Sequence, residues 1–196
     1  MDAKLQTLLD EVFLETHGEH LADTIAARLV RAAAQFHDTP AAFQEDVREW
    51  EFEGSGDMLD TVALGSLPNL REVLSVFVWS AGNSTPVAAT PTTLTKLLDA
   101  SQDGCNGSVK YTRVGDLLRI SSPKPISFIS VVGVHPPSPT IDNFDTWLYP
   151  KHKHWLVQLG IAITQDAVGD DSKTLSLQLA VDAKRTLIAS LPKYEG

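Results

Sequence analysis

Bulky apolar residues alternate with small or neutral ones along two stretches near the C-terminal end of the chain. Residues 155–164 and 174–181 both place an apolar side chain at every second position. Because side chains of an extended strand point alternately to its two sides, this period of two predicts two β-strands. The intervening positions carry no Lys, Arg, Asp or Glu. One face of the predicted sheet therefore fits a covered core, whereas the other is unusual for a face that meets water.

The uncharged positions define a candidate partner-binding face. Small side chains there would let a second sheet approach to the roughly 10 Å of ordinary face-to-face packing. We interpret the face as a contact surface for another protein chain, in a homodimer or a heterodimer. Cover by the protein's own N-terminal helices and simple exposure are the alternatives. The predicted contact residues are Gln158, Gly160, Ala162, Thr164, Thr174, Ser176, Gln178 and Ala180.

Helical periodicity dominates the N-terminal region of the chain. Apolar residues recur every three or four positions over residues 5–13 and 21–36, which predicts two amphipathic helices, the second beginning near His17. A third helix is predicted over residues 40–50, because proline is favoured in a first helical turn. A short helix is predicted over residues 92–98.

Strand patterns follow the helices. Residues 57–80 fit either a helix begun at Pro68 or a buried strand, and the β-branched and aromatic residues 76–79 favour a strand. A hairpin or a bulged continuation around Gly115 and a central strand over residues 126–134 are predicted next. Helices first and strands later indicate the α+β class, with N-terminal helices packed on a mostly antiparallel sheet. We expect one domain over 1–196, helical over 1–68 and sheet-rich over 70–185.

This element order, together with the strand-like stretches 129–133 and 155–164, resembles the nuclear transport factor 2 superfamily over about residues 70–185. The resemblance implies a curved sheet wrapped around helices to form a cone. Some members of that family are dimerising adaptors, including the small subunit of messenger-RNA export receptors, and pair through the open sheet face. Others are enzymes that use the interior of the cone as a pocket.

Charge and composition narrow the function classes. The 196 residues carry a formal net charge of −9, which disfavours direct nucleic-acid binding and binding to an anionic membrane surface. The single cysteine, Cys105, excludes an intramolecular disulfide. Neither a secretory signal nor an apolar run of membrane-spanning length is recognisable. We therefore expect a cytoplasmic or nuclear location.

Histidines and aspartates near residues 135–154 are the other candidates for chemistry. On an extended strand His152 and His154 would lie about 6.5 Å apart on one side, but a metal site would need a third ligand. The residues that could form a pocket rim are His135, Asp142, Asp145, His152 and His154. No catalytic residue, metal ligand or cofactor is predicted from these patterns.

The sequence thus favours a non-enzymatic adaptor that forms a dimer through the uncharged face, for example an export or transport cofactor. One alternative is a small-molecule-binding protein or enzyme that uses the interior of the cone. A second alternative is an acidic inhibitor or immunity-type protein that meets a basic target.

Overall fold

The computed structural model describes residues 1–39, 43–67, 69–102 and 107–192. The helices are α1 (Ala3–Thr16), α2 (Ala22–His37), α3 (Leu94–Gln102), α4 (Leu148–Lys151), α5 (Lys153–Val168) and α6 (Lys173–Ser190). The strands are β1 (Val47–Glu53), β2 (Leu59–Ala63), β3 (Glu72–Ser80), β4 (Val87–Ala88), β5 (Thr90–Pro91), β6 (Lys110–Val114), β7 (Leu117–Ser121) and β8 (Ile126–Val134). The predicted α+β class is confirmed.

The chain forms two compact units. A helical unit consists of Met1–Glu45 and Pro137–Tyr194, and a sheet unit consists of Asp46–Pro136. The helical unit is therefore built from two separate stretches of the sequence, and the sheet unit is formed by the stretch between them. The sequence analysis predicted a single domain, with a helical part over 1–68 and a sheet-rich part over 70–185.

The first two helices form as their apolar stripes predict. The Asp2 carboxylate accepts a hydrogen bond from the Lys4 backbone N–H at 2.8 Å and so caps α1. His17 ends α1 in the left-handed region, and one turn of 3-10 helix, Glu19–Leu21, precedes α2. The second helix therefore begins a few residues later than predicted, while its stripe Ile25, Leu29, Ala33 and Phe36 is fully buried.

The core of the helical unit is centred on α5, which packs against α1, α2 and α6. Phe36 lies among aromatic rings, with centroid distances of 5.7 Å to Phe43, 5.7 Å to Trp147 and 5.2 Å to Trp155. Rings at these separations add to the energy of simple apolar burial. Because α5 contacts three other helices, it is apolar on most of its circumference.

The described residues of the sheet unit contain two four-stranded sheets, in the orders β1-β8-β3-β4 and β2-β7-β6-β5. Apolar side chains from both sheets share one cluster, which includes Val76, Leu118, Ile120 and Val131. The predicted strand over residues 76–79, the hairpin around Gly115 and the central strand over 126–134 are confirmed within β3, β6–β7 and β8. The short helix predicted over residues 92–98 is confirmed within α3.

The helix predicted over residues 40–50 is wrong at its C-terminal half. Residues 47–53 form β1, an antiparallel neighbour of β8. The helical spacing of Val47 and Trp50 misled the sequence interpretation, because pairing with β8 outweighs local periodicity. The segment predicted to be helical, residues 1–68, therefore also contains strands. The proline of the predicted helix start at Pro40, that of the alternative helix start at Pro68, and Cys105 lie outside the described residues.

The two C-terminal strand predictions are also wrong. Residues 155–164 lie in α5 and residues 174–181 lie in α6, and strand β8 of the sheet unit ends at Val134. The prediction of a sheet-rich segment as far as residue 185 is corrected accordingly. Alternation of apolar and neutral residues fits a strand, but it also fits a helix that is apolar on more than one side.

Candidate interaction surface

Helices α5 and α6 form a hairpin whose turn is fixed by glycine and aspartate. Gly169 ends α5 with φ of 74°, a left-handed conformation that glycine adopts without steric cost. The Asp170 backbone N–H donates to the Gln165 carbonyl at 2.9 Å, which satisfies an end carbonyl of α5. The Asp170 carboxylate accepts from the Ser172 backbone N–H at 2.9 Å, and this bond lowers the pKa of Asp170. The turn therefore sets where α6 begins.

Gly160 of α5, which the sequence assigned to a partner-binding face, lies instead against α1. A Cβ atom added at Gly160 would lie 2.5 Å from a side-chain carbon of Val12. Thr164 donates its hydroxyl hydrogen to the Gly160 carbonyl at 2.8 Å, and a Cβ atom added at Gly18 would lie 2.4 Å from the Thr164 methyl group. These close approaches show that the slender residues serve contact between helices of the same unit.

The eight predicted partner-contact residues are not brought together on one exposed face. The buried residues are Gly160, Ala162, Thr164 and Ala180. Gln158 and Ser176 are half-buried, and Thr174 and Gln178 are exposed. Burial of the first group within the helical unit corrects their assignment to an open sheet face. Cover by the N-terminal helices, one of the alternatives weighed from the sequence, holds for Gly160.

On α6 the residues that the sequence analysis expected to be buried are exposed. Leu175, Leu177, Leu179 and Val181, expected to face the core, are 64%, 55%, 51% and 41% exposed. Ala180 and Leu187 make the buried contact of this helix. We call the four exposed aliphatic residues together with Gln178 the α6 surface. Leu177 of this surface also lines a depression together with Ala162 and Ile163 of α5.

One flank of the α6 surface borders two depressions between α2, α5 and α6. The first has a volume of about 290 Å³ and is lined by Ile163 and Leu177, among others. The second, about 180 Å³, lies between Ala32 of α2 and Val181 of α6. Leu177 lines both, so the depressions adjoin the exposed aliphatic side chains.

Charged groups surround this apolar floor. The Asp166 carboxylate lies 3.4 Å from the Arg28 guanidinium and 3.7 Å from the Lys173 ammonium, and so links α2, α5 and α6 at one end. At the other end the Lys184 ammonium lies over the Phe36 ring, 5.7 Å from its centroid. An apolar centre with a charged rim is the usual anatomy of a protein contact surface.

The sequence contained a signal for α6 that alternation obscured. Eleven of the residues 173–190 are Leu, Ala, Lys, Arg or Gln, which favour helix, and none is aromatic. The Gly-Asp-Asp-Ser segment before them has the composition of a helix end followed by a helix start. The four exposed aliphatic residues are the ones that the sequence interpretation missed.

The five predicted pocket-rim residues are divided between the units. His135 belongs to the sheet unit, where its ring lies 5.8 Å from that of Trp50. Asp142 and Asp145 are exposed in the helical unit, and Asp142 pairs with the Met1 amino group at 3.2 Å. His152 and His154 line one open depression of about 340 Å³ beside Trp155. Burial lowers the pKa of His152, and the negative charge of Glu45 offsets part of this shift.

Within the described residues, no cluster of three or more His, Cys, Asp or Glu side chains is arranged to hold a metal ion. None of the helices formed by the residues that the structure describes is long and apolar enough to cross a bilayer. Comparison of the chain with protein-family models and with curated proteins finds no match.

Proposed function

We propose that this protein is a non-enzymatic adaptor or assembly module that acts by protein contact through the α6 surface. The single observation that carries the proposal is the exposure of four aliphatic side chains within two turns of one helix. Single exposed apolar residues are ordinary, whereas several exposed aliphatic side chains so close along one helix are a feature of interaction sites. Burial of these side chains by a partner would supply a driving force of roughly 25 cal/mol per Å².

The helix is well suited to present such a surface. Its base is fixed by Ala180 and Leu187 against α5, so little ordering is required when a partner binds. The residues that would meet the partner are unlike those predicted from the sequence, apart from Gln178. The proposal keeps protein contact from the sequence-based hypothesis. It replaces the predicted sheet face with the α6 surface.

Site-specific photo-cross-linking tests the proposal. A photoreactive phenylalanine analogue at position 178, introduced in the native source, is expected to form a covalent adduct with a protein chain, because Gln178 lies among the exposed aliphatic residues. Gln6 is the matched control, since it is also an exposed glutamine on a helix of the same unit. The mass of each adduct identifies whether a second copy or a different chain is attached.

Adducts at position 178 but not at position 6 would support the proposal. Equal labelling at both positions, or none at position 178, would contradict it. Circular dichroism of both variants checks that the helical unit stays folded, as expected for surface substitutions.

A further inference from the structure

We infer that the groove between α2 and α6 binds a straight-chain fatty carboxylate, with its aliphatic chain along α5 and its carboxylate beside Lys184. The inference goes beyond the proposed function, because it adds a small-molecule ligand to a protein proposed to act by protein contact. We call the two adjoining depressions of about 290 Å³ and 180 Å³ together the α2–α6 groove. Its apolar lining includes Ala32, Leu159, Ala162, Ile163, Leu177 and Val181.

Each of the three helices contributes one stripe of residues to the groove. Arg28, Ala32 and Gln35 of α2 are spaced by four and three positions, so they lie in a row along that helix. The same spacing holds for residues 155, 159, 162 and 166 of α5 and for residues 173, 177, 181 and 184 of α6. The two depressions therefore lie along one channel between α2 and α6. Leu177 and Val181 are 55% and 41% exposed, so the described part of the chain leaves this wall of the groove open.

Contacts between helices border the groove at both ends. At one end the Asp166 carboxylate pairs with Arg28 and Lys173, and at the other the Lys184 ammonium lies over an aromatic ring of α2. Asp166 lies eleven positions after Trp155 on α5, which is about 16 Å along the helix axis. An extended carbon chain advances about 1.2 Å per bond, so about twelve carbon atoms fill this length. A groove bordered in this way fits a short chain better than a helix or strand that continues past its ends.

The charges that line the groove favour an anionic ligand. Among its described lining residues, Arg28, Lys173 and Lys184 are cationic and only Asp166 is anionic. This excess is opposite in sign to the formal net charge of −9 of the whole chain. Asp166 lies at the Arg28 end, whereas the described residues that line the depression at the Lys184 end include no carboxylate. The ligand carboxylate therefore belongs at the Lys184 end, with its aliphatic chain extending toward Ile163.

A buried hydrogen-bond donor at the same end supports this orientation. Trp155 is 5% exposed, and its indole Nε1 has no hydrogen-bond partner among the described residues. Trp155 and Lys184 line the same depression, together with Gln35. A buried N–H group without an acceptor is unfavourable, and a carboxylate oxygen is a strong acceptor. A carboxylate in this depression would therefore lie beside an ammonium group, a side-chain amide and an indole N–H that otherwise lacks an acceptor.

Isothermal titration calorimetry of the full chain with octanoate, decanoate and dodecanoate, each below its micelle-forming concentration, is the test. We expect saturable binding of one molecule per chain, with the affinity rising roughly tenfold for each two added methylene groups. Tetradecanoate should bind no more tightly than dodecanoate, because the groove accommodates about twelve carbon atoms. Decylammonium, a cation with the chain length of decanoate, should bind about tenfold more weakly than decanoate, because cationic side chains predominate in the lining.

Two substitutions with matched controls locate the site. Lys184→Gln should weaken decanoate binding by about tenfold, because it removes the cation beside the carboxylate. Arg185→Gln removes the same charge at the adjacent, exposed position, which lines neither depression, and should leave binding unchanged. Leu177→Asn should also weaken binding by about tenfold, since it removes apolar lining. Leu14→Asn changes an exposed leucine of α1 and should have no effect. Circular dichroism verifies that each variant is folded.

Binding that is absent, that does not saturate, or that Lys184→Gln and Leu177→Asn leave unchanged would overturn the inference, as would equal affinity for decylammonium. The proposed function is tested separately, since Gln178 lines neither depression. Adducts at position 178 without saturable dodecanoate binding would leave the proposed function standing while this inference falls. Dodecanoate binding that follows the expected pattern, without an adduct, would support this inference and contradict the proposed function.

Discussion

The Gly160→Arg substitution is expected to prevent the helical unit from folding, whereas Gln178→Arg is expected to leave it folded. At position 160 the first side-chain carbon would already lie 2.5 Å from Val12, a fully buried residue of α1. The guanidinium would then have to enter an apolar cluster or force α1 away from α5. Overpacking and an unpaired buried charge together destabilise by more than about 3 kcal/mol, a large share of a typical domain stability.

Thermal and urea unfolding followed by circular dichroism measure this effect. Gly160→Arg should lose the cooperative helical transition, while Gln178→Arg should unfold within about 0.5 kcal/mol of the wild type, as surface substitutions do. Gln178→Arg is the matched control, since it introduces the same side chain on the helix that packs against α5. A Gly160→Arg variant with wild-type stability would show that α1 and α5 do not pack as described.

A smaller substitution isolates the steric component of this prediction. In an open helix position, Gly→Ala stabilises by roughly 0.8–1 kcal/mol. At position 160 we expect destabilisation instead, because the added methyl group meets Val12. Combining Gly160→Ala with Val12→Ala should recover some of the loss, and a double-mutant cycle measures this coupling. Additive effects would contradict the direct contact.

The contrast between positions 160 and 178 shows what the sequence could and could not determine. Residues 155–164 and 174–181 stand out correctly as unusual, because their intervening positions lack charge. A strand interpretation assigns Gly160 and Gln178 to one face, since on strands both would lie between the bulky residues. On helices, residues two positions apart lie about 160° apart around the axis, so alternate residues do not share a face.

The elements predicted well are those in which local pattern and tertiary environment agree. The stripe of α2 from Ile25 to Phe36 is long and strongly amphipathic, and the hairpin around Gly115 has a turn glycine with φ of 60° between two alternating strands. Strand β8 is a long apolar run with β-branched residues, and it pairs with strands on both sides. In these segments no competing structure fits the sequence equally well.

The elements predicted wrongly are those whose secondary structure depends on contacts with segments that are distant in the sequence. Strand β1 alternates Trp50 and Phe52 with Glu49, Glu51 and Glu53, but its pairing partner β8 is distant in the sequence. Helix α5 is apolar around most of its circumference because three helices surround it, and this removes the periodic signal. The exposure of the α6 aliphatic residues depends in turn on which side α5 covers.

Below about pH 6.5 the stability of the helical unit is expected to fall, because His37 is buried in its neutral form. His37 is the last residue of α2 and is 1% exposed. Its Nε2 lies 2.6 Å from the Thr146 hydroxyl, and its ring lies 5.2 Å from that of Trp147. Burial lowers the pKa of His37 to about 4, and the charge of Asp145 opposes this shift only in part.

The direction of the pH effect follows from proton binding in the two states. Between about pH 4 and the ordinary pKa of 6.5, the unfolded chain binds a proton at His37 that the folded chain excludes. Acidification through this range therefore favours unfolding by about 1.4 kcal/mol per pH unit, or about 3 kcal/mol in all. Above about pH 6.5 both states are neutral at this residue and its contribution is constant. Burial also lowers the pKa of His152, which adds in the same direction.

Urea unfolding at several pH values between about 7 and 4.5 measures the slope. His37→Gln keeps a group that can bond to the Thr146 hydroxyl but cannot titrate, so the free energy of unfolding should depend much less on pH. His154→Gln is the matched control, because His154 is exposed, and it should keep the wild-type slope. If His37→Gln and the wild type lose stability in parallel, the acid sensitivity lies elsewhere. A wild-type slope that becomes much shallower only in His37→Gln would establish that the aromatic cluster around Phe36 holds this imidazole uncharged.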